Sequence, residues 1–101
     1  MKEKILNFEK GPNFKKYTAF LKDKKTKKIR KIHFGDKRYP QYKDRTGLGL
    51  YSKNNHYTRK RMQRYFLRHS GTRKRKDAID KEIKKSNGYY NAKILSHIYL
   101  W

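Results

Sequence analysis

The stretch HYTRKRMQRYFLRHS, His56 to Ser70, decides the fold. Met62, Tyr65, Phe66 and His69 recur at three-and-four spacing, which makes them one stripe of a helix facing a core. Lys60, Arg64 and Arg68 fall at i, i+4 and i+8, so three charges line the opposite side. Thr58 is placed to cap the start, and Ser70-Gly71 supplies the left-handed-tolerant ending. One feature runs against local preference. Arg59, Lys60 and Arg61 crowd the first turn, where the helix dipole is already positive and acidic residues are favoured. A helix start that keeps three cations and free N–H groups suits an anion brought from outside. A solvated, mildly destabilised helix end is the plainer alternative.

Composition points the same way. The 101 residues hold 30 Lys+Arg against 8 Asp+Glu, a formal net charge of +22. Such a field says little about fold but selects polyanionic partners: nucleic acid, an anionic membrane surface or an acidic protein. No run approaches the roughly 18 apolar residues of a membrane span, so no span is expected. Charges interrupt the start, MKEKILNFEKG, so it does not read as a signal peptide. Cysteine is absent, which removes disulfides and thiolate chemistry and suits a reducing compartment. Nine Tyr, five Phe and one Trp separate the chain from a disordered basic tail, because each buried ring removes roughly 150–250 Å² from water. One modest core is expected, opposed by self-repulsion and completed by a partner within a larger assembly.

Before the central helix, residues 1–13 read as a polar lead broken at Gly11-Pro12, and residues 14–101 as a single small basic domain. Phe14 to Leu21 and Ile29 to Phe34 read as the strands of an antiparallel hairpin, with Tyr17, Ala19 and Leu21 on one face. Its tip, DKKTKK, lacks glycine and gathers cations where a hairpin can reach a phosphate backbone, or where lysines simply guard an edge. A long irregular region follows from Gly35, with Tyr39, Tyr42, Leu48, Leu50 and Tyr51 expected to pin it to the core. After the helix, Thr72 to Lys76 is the densest basic run. Asp77 to Lys85 reads as a short helix capped by Asp77. Asn91 caps a C-terminal segment, AKILSHIYLW, that suits a helix face, although its β-branched content leaves a strand open.

Catalytic signatures are weak. No two of His33, His56, His69 and His97 stand at i, i+3 or i+4, so no metal-ligand spacing is present. His33 and His69 read as packed core or boundary residues. Asp36 and Asp44 flank the long loop, where a metal-dependent nuclease can be imagined, but nothing in their spacing supports one. Gly47-Leu48-Gly49 lacks the third glycine of a dinucleotide fingerprint and the lysine of a P-loop. No catalytic residue, metal or cofactor is assigned, and an enzyme is not expected.

The segments KIHFG (Lys31 to Gly35), YPQYKD (Tyr39 to Asp44), RYFLRHS (Arg64 to Ser70) and the terminal LSHIYLW carry a resemblance. The chain resembles a family of small basic proteins encoded by large nucleocytoplasmic DNA viruses and some phages. Its members pair a K-V/I-H-F-G strand with a tyrosine-containing loop, a basic Y-x-x-R-H helix and a Trp-ending tail. The likeness covers Tyr17 to Trp101. It departs in the tail, at Tyr89-Tyr90 and Leu100-Trp101, and in Thr72 to Lys85. The resemblance implies viral origin and a compact fold, and carries no catalytic residues.

The expected fold is therefore α+β: an N-terminal antiparallel β-hairpin packed on a central amphipathic helix, with one or two short C-terminal helices. The expected function is a genome-associated virion structural protein, binding nucleic acid (double-stranded DNA foremost) non-specifically through phosphates. The candidate contacts are Lys24, Lys25, Lys27, Lys28, Arg30, Arg59, Lys60, Arg61, Arg64, Arg68, Arg73, Lys74, Arg75 and Lys76. The alternatives are a minor capsid or scaffold protein binding acidic capsid proteins, and a ribosomal-type RNA binder. The virion, and the host cytoplasm during assembly, are the expected locations.

Overall fold

A computed structural model describes residues 1–101. Three strands, β1 (Glu3–Lys10), β2 (Lys15–Asp23) and β3 (Ile29–Asp36), form an antiparallel sheet in the order β1-β2-β3. Three helices follow: α1 (Arg59–Ser70), α2 (Arg75–Lys85) and α3 (Ala92–Tyr99). The α+β class, the hairpin and the helix order are as the sequence implies. The C-terminal segment is a helix, capped by Asn91, whose Oδ1 accepts from the Ile94 N–H at 2.8 Å.

Residues 3–10 are a strand of this sheet, which corrects their reading as a lead. The reason lies in the register, which slips between Ile5 and Asn7. Ile5 pairs with Leu21 and Phe8 with Ala19, so two residues three apart both face the core and the period-2 signature is erased. Gly11-Pro12, expected as a break between lead and domain, is the turn joining β1 to β2. The Gly11 N–H donates to Lys16 O at 2.9 Å, and a Cβ there would meet Lys15 O at 2.6 Å, so only glycine fits.

The β2–β3 turn manages without glycine by two devices. Asp23 Oδ1 accepts from the N–H groups of Lys25 (2.8 Å) and Thr26 (2.9 Å), and Lys27 takes the left-handed conformation at φ 65°. The sheet's core face gives Tyr17, Ala19, Leu21 and Phe34, all fully buried against Leu95 and Leu100. The sheet thus meets the helical layer mainly through α3, and α1 packs one layer further out. Tyr65 and Phe66 of α1 close on Ala78 of α2 as a second cluster. Trp101 joins the two layers, its ring stacked on Tyr65 at 4.2 Å and 5°.

Helix ends differ from expectation in detail. Thr58 is the N-cap of α1, but its hydroxyl donates to His56 O instead of capping. Gly71, at φ 71°, ends α1 with its N–H on Leu67 O. The second helix starts at Arg75, so its cap is Lys74 and Asp77 lies inside the first turn.

The long loop is held by polar bonds where apolar anchors were expected. Tyr39, Leu48 and Leu50 are exposed, and only Tyr51 packs on the first core cluster. Gln41, fully buried, is the pin. Its Nε2 donates to Tyr51 O and Asn55 Oδ1, both at 2.7 Å, and its Oε1 accepts from the Lys16 ammonium. Asp44 accepts from the buried Tyr17 hydroxyl, tying the loop to β2. A backbone segment without a ladder must find such partners or leave its amides unpaired.

Candidate nucleic-acid interface

Arg59, Lys60, Arg61, Arg64 and Arg68 of α1 are all exposed, and none joins an ion pair. The opposite face carries the buried Tyr65 and Phe66, so the two-faced reading of this helix holds. The first turn contains no acid and no side-chain cap. Across the molecule only four of the 30 cations pair with a carboxylate: Arg30, Arg38, Lys85 and Lys93.

Arg61 and Arg68 also line a groove of about 510 Å³ between α1, α3 and the start of β2. Lys15, Lys16 and Lys93 bring further cations to it, and Tyr65 and Trp101 supply apolar wall. Its single carboxylate, Asp36, is held by Arg38 through bonds of 3.0 and 2.8 Å, which lowers Asp36 to about 2. Lys16 is buried with two neutral acceptors, Gln41 Oε1 and Tyr39 O, and burial pushes it down to about 8. His69 is exposed overall, against its expected packing, but partial desolvation of its ring, with the charges of Arg68 and Lys93, lowers its pKa. The groove therefore offers positive charge with almost no internal compensation.

The remaining candidates divide. Lys24, Lys25, Lys27 and Lys28 are exposed on the β2–β3 turn. This turn lies at the other end of the nine-residue β2 from Lys15, about 30 Å away along the strand. The fold separates these two basic clusters. Arg73, Lys74 and Lys76 are exposed at the start of α2. Arg30 is occupied: its guanidinium bonds Glu3 at 2.6 and 2.9 Å and Tyr90 O at 2.7 Å, and ties β3 to β1 and the α2–α3 turn. Arg75 is partly buried, with Nη2 on Ile98 O at 2.8 Å. Both serve the fold first.

The most buried histidine is one the sequence left unassigned: His97 is fully covered and bonded to Tyr65 and Ser70. His33 shares a 2.7 Å bond with Thr18. No three His, Asp or Glu side chains converge. Asp44, considered for a nuclease site, is held by Tyr17 and by the Thr46 hydroxyl at 2.7 Å.

Sequence reasoning missed Lys15, Lys16 and Lys93. Their meeting depends on α3 lying on the sheet and on the loop folding back, neither of which leaves a local pattern. No helix is long and apolar enough to cross a membrane. Comparison with protein-family models, curated proteins and solved structures found no match.

Proposed function

We propose that this chain binds nucleic acid non-specifically through phosphate contacts, as a small basic structural protein associated with a viral genome inside the particle. The observation that carries this reading is the free cationic face of α1, five exposed Lys and Arg with no carboxylate partner around an acid-free helix start. Unpaired exposed cations contribute nothing to folding and raise self-repulsion, so they are cheap to retain only if a polyanion later neutralises them. The absence of a base-reading module favours contacts to backbone over contacts to base edges. The resemblance to small basic viral proteins supports the virion as the setting.

The test is a salt series with random duplex DNA. Log affinity falls linearly with log salt at about −0.9 per phosphate neutralised, so six contacts give a slope near −5. Binding that hardly changes between about 50 and 200 mM salt removes the phosphate model. A chain that ignores DNA and RNA but binds an acidic capsid protein is a scaffold component instead.

A further inference from the structure

Tyr39 is 62% exposed, although its main chain is fixed on both sides. Its N–H donates to Asp36 O at 3.2 Å, and its carbonyl accepts from the Lys16 ammonium at 2.7 Å. The ring joins neither core cluster, yet it lines the groove between α1, α3 and the start of β2. Beside it Arg38, clamped on Asp36, holds its guanidinium 5.7 Å from the Tyr39 ring centre and 5.6 Å from that of Phe14. Phe14 is 66% exposed. Two uncovered rings sharing one fixed cation forgo the burial by which aromatic residues stabilise a core.

The groove continues this surface inward. Lys15, Arg61 and Arg68 line it without a carboxylate partner, together with the buried Lys16. Arg61 and Arg68 stand two helical turns apart on α1, about 10 Å along its axis. Trp101 stacks one face of its indole on Tyr65 and lines the same groove. A volume of about 510 Å³ lies within the roughly 300–1,000 Å³ of sites that enclose a small molecule. It has room for one nucleotide unit. Cations along a groove with rings set among them suit a single strand, because cations follow the phosphates and every base has a face to stack. A duplex offers the phosphates alone, since its bases are stacked on one another.

We propose that this groove and its Phe14–Arg38–Tyr39 rim bind single-stranded nucleic acid. One nucleotide lies in the groove with its base on Tyr39 and its flanking phosphates on Arg61 and Arg68, and the next base lies on Phe14. The proposal rests on the nucleic-acid reading above and deepens it: the outer cations of α1 accept any backbone, whereas the groove selects unpaired strands.

Trp101 is the single tryptophan, so its fluorescence reports on the groove. The full chain is titrated with oligothymidine, with an abasic strand and a duplex of the same length, and with polyglutamate. Oligothymidine quenches Trp101 saturably. The abasic strand, with the same phosphates and no bases, binds about tenfold more weakly. Tyr39→Ala, which removes no ring from either core cluster, loses about tenfold for oligothymidine at an unchanged salt slope. Its duplex affinity stays parental, and Tyr39→Phe keeps both affinities. Arg61→Gln lowers the single-strand slope by about 0.7 and retains the preference over the abasic strand. Equal affinity for the abasic strand, parental oligothymidine binding in Tyr39→Ala, or binding without quenching overturns the proposal, while the duplex salt series still stands by itself. Quenching by polyglutamate and not by oligothymidine overturns it in favour of an acidic protein. If neither single strand nor duplex binds, the nucleic-acid reading has failed, and this use of the groove falls with it.

Discussion

The Ser70 hydroxyl and His97 Nε2 lie 2.8 Å apart in the buried contact of α1 with α3. Glu82 Oε2 lies 3.1 Å from the same hydroxyl, and the Tyr65 hydroxyl 2.9 Å from His97 Nδ1. An ionised carboxylate only accepts, which orders the whole chain of bonds. Ser70 donates to Glu82, the His97 Nε2–H donates to Ser70, and Nδ1 accepts from Tyr65. The ring is neutral and its tautomer is set by its neighbours.

Acid should undo this arrangement. Burial outweighs the pull of Glu82 and holds His97 at about 4, against an ordinary 6.5. Between those values the unfolded chain binds more protons, so stability falls as pH drops from 6.5 towards 4. The full interval is worth about 3 kcal/mol. Glu82, held below its ordinary 4.5 with help from Ser70, Lys93 and Lys85, adds to the loss once pH falls below that value. Urea midpoints at pH 7, 6, 5 and 4 check it. A flat profile, or one unchanged in His97→Asn, would mean that the ring titrates freely.

Phe66 is fully buried and touches the His97 ring edge-on at 4.9 Å. Phe66→Ala should cost roughly 3–5 kcal/mol, from lost transfer energy plus the cavity. Lys60→Ala on the exposed face of α1 should stay within about 0.5 kcal/mol. Equal melting shifts for the two would place the helix faces wrongly.

Gln41 carries the long loop. Gln41→Ala leaves the Lys16 ammonium with one acceptor and removes one of the two donors to Asn55 Oδ1, and should cost roughly 3 kcal/mol. Amide exchange then quickens across residues 39–57 before it does in the sheet. Unchanged exchange there would show that Tyr51 and the backbone bonds suffice.

Replacing Lys60, Arg64 and Arg68 together by Gln removes three charges at nearly constant helix propensity. Thermal stability should hold or rise slightly through lower self-repulsion. Affinity for random DNA should fall at every sequence tested, with the salt slope reduced by about one unit per lost contact. Parental binding in this triple variant would reduce the stripe to a solvated surface.

Legibility in the sequence followed how local each signal is. The α1 stripe was readable because Met62, Tyr65 and Phe66 lie within two helical turns and their spacing is undisturbed. The Tyr17, Ala19, Leu21 face of β2 was readable by simple alternation. The first strand was hidden because the extra residue at Leu6 breaks that alternation between Ile5 and Phe8. The loop was misjudged for a different reason: hydrophobicity marked Leu48 and Leu50, but the anchor is Gln41, whose value lies in donors and acceptors supplied from Lys16, Tyr51 and Asn55. On the candidate interface, the sequence found the free cations of α1 and the β2–β3 turn. It could not tell them from Arg30 and Arg75, because Glu3 and Ile98 become their neighbours only in three dimensions.

The slip at Leu6 has one more effect. The first strand lies at an open border of the sheet, and that border bends at Leu6, with Lys4 and Lys10 exposed on either side. A straight strand from a second molecule cannot keep its ladder across the bend, so growth from copy to copy stops there. A net charge of +22 also keeps copies apart, but that repulsion fades whenever salt or a polyanion screens it. The bend is steric and does not fade, so it still blocks fibrillar stacking in the crowded, neutralised state where charge no longer does.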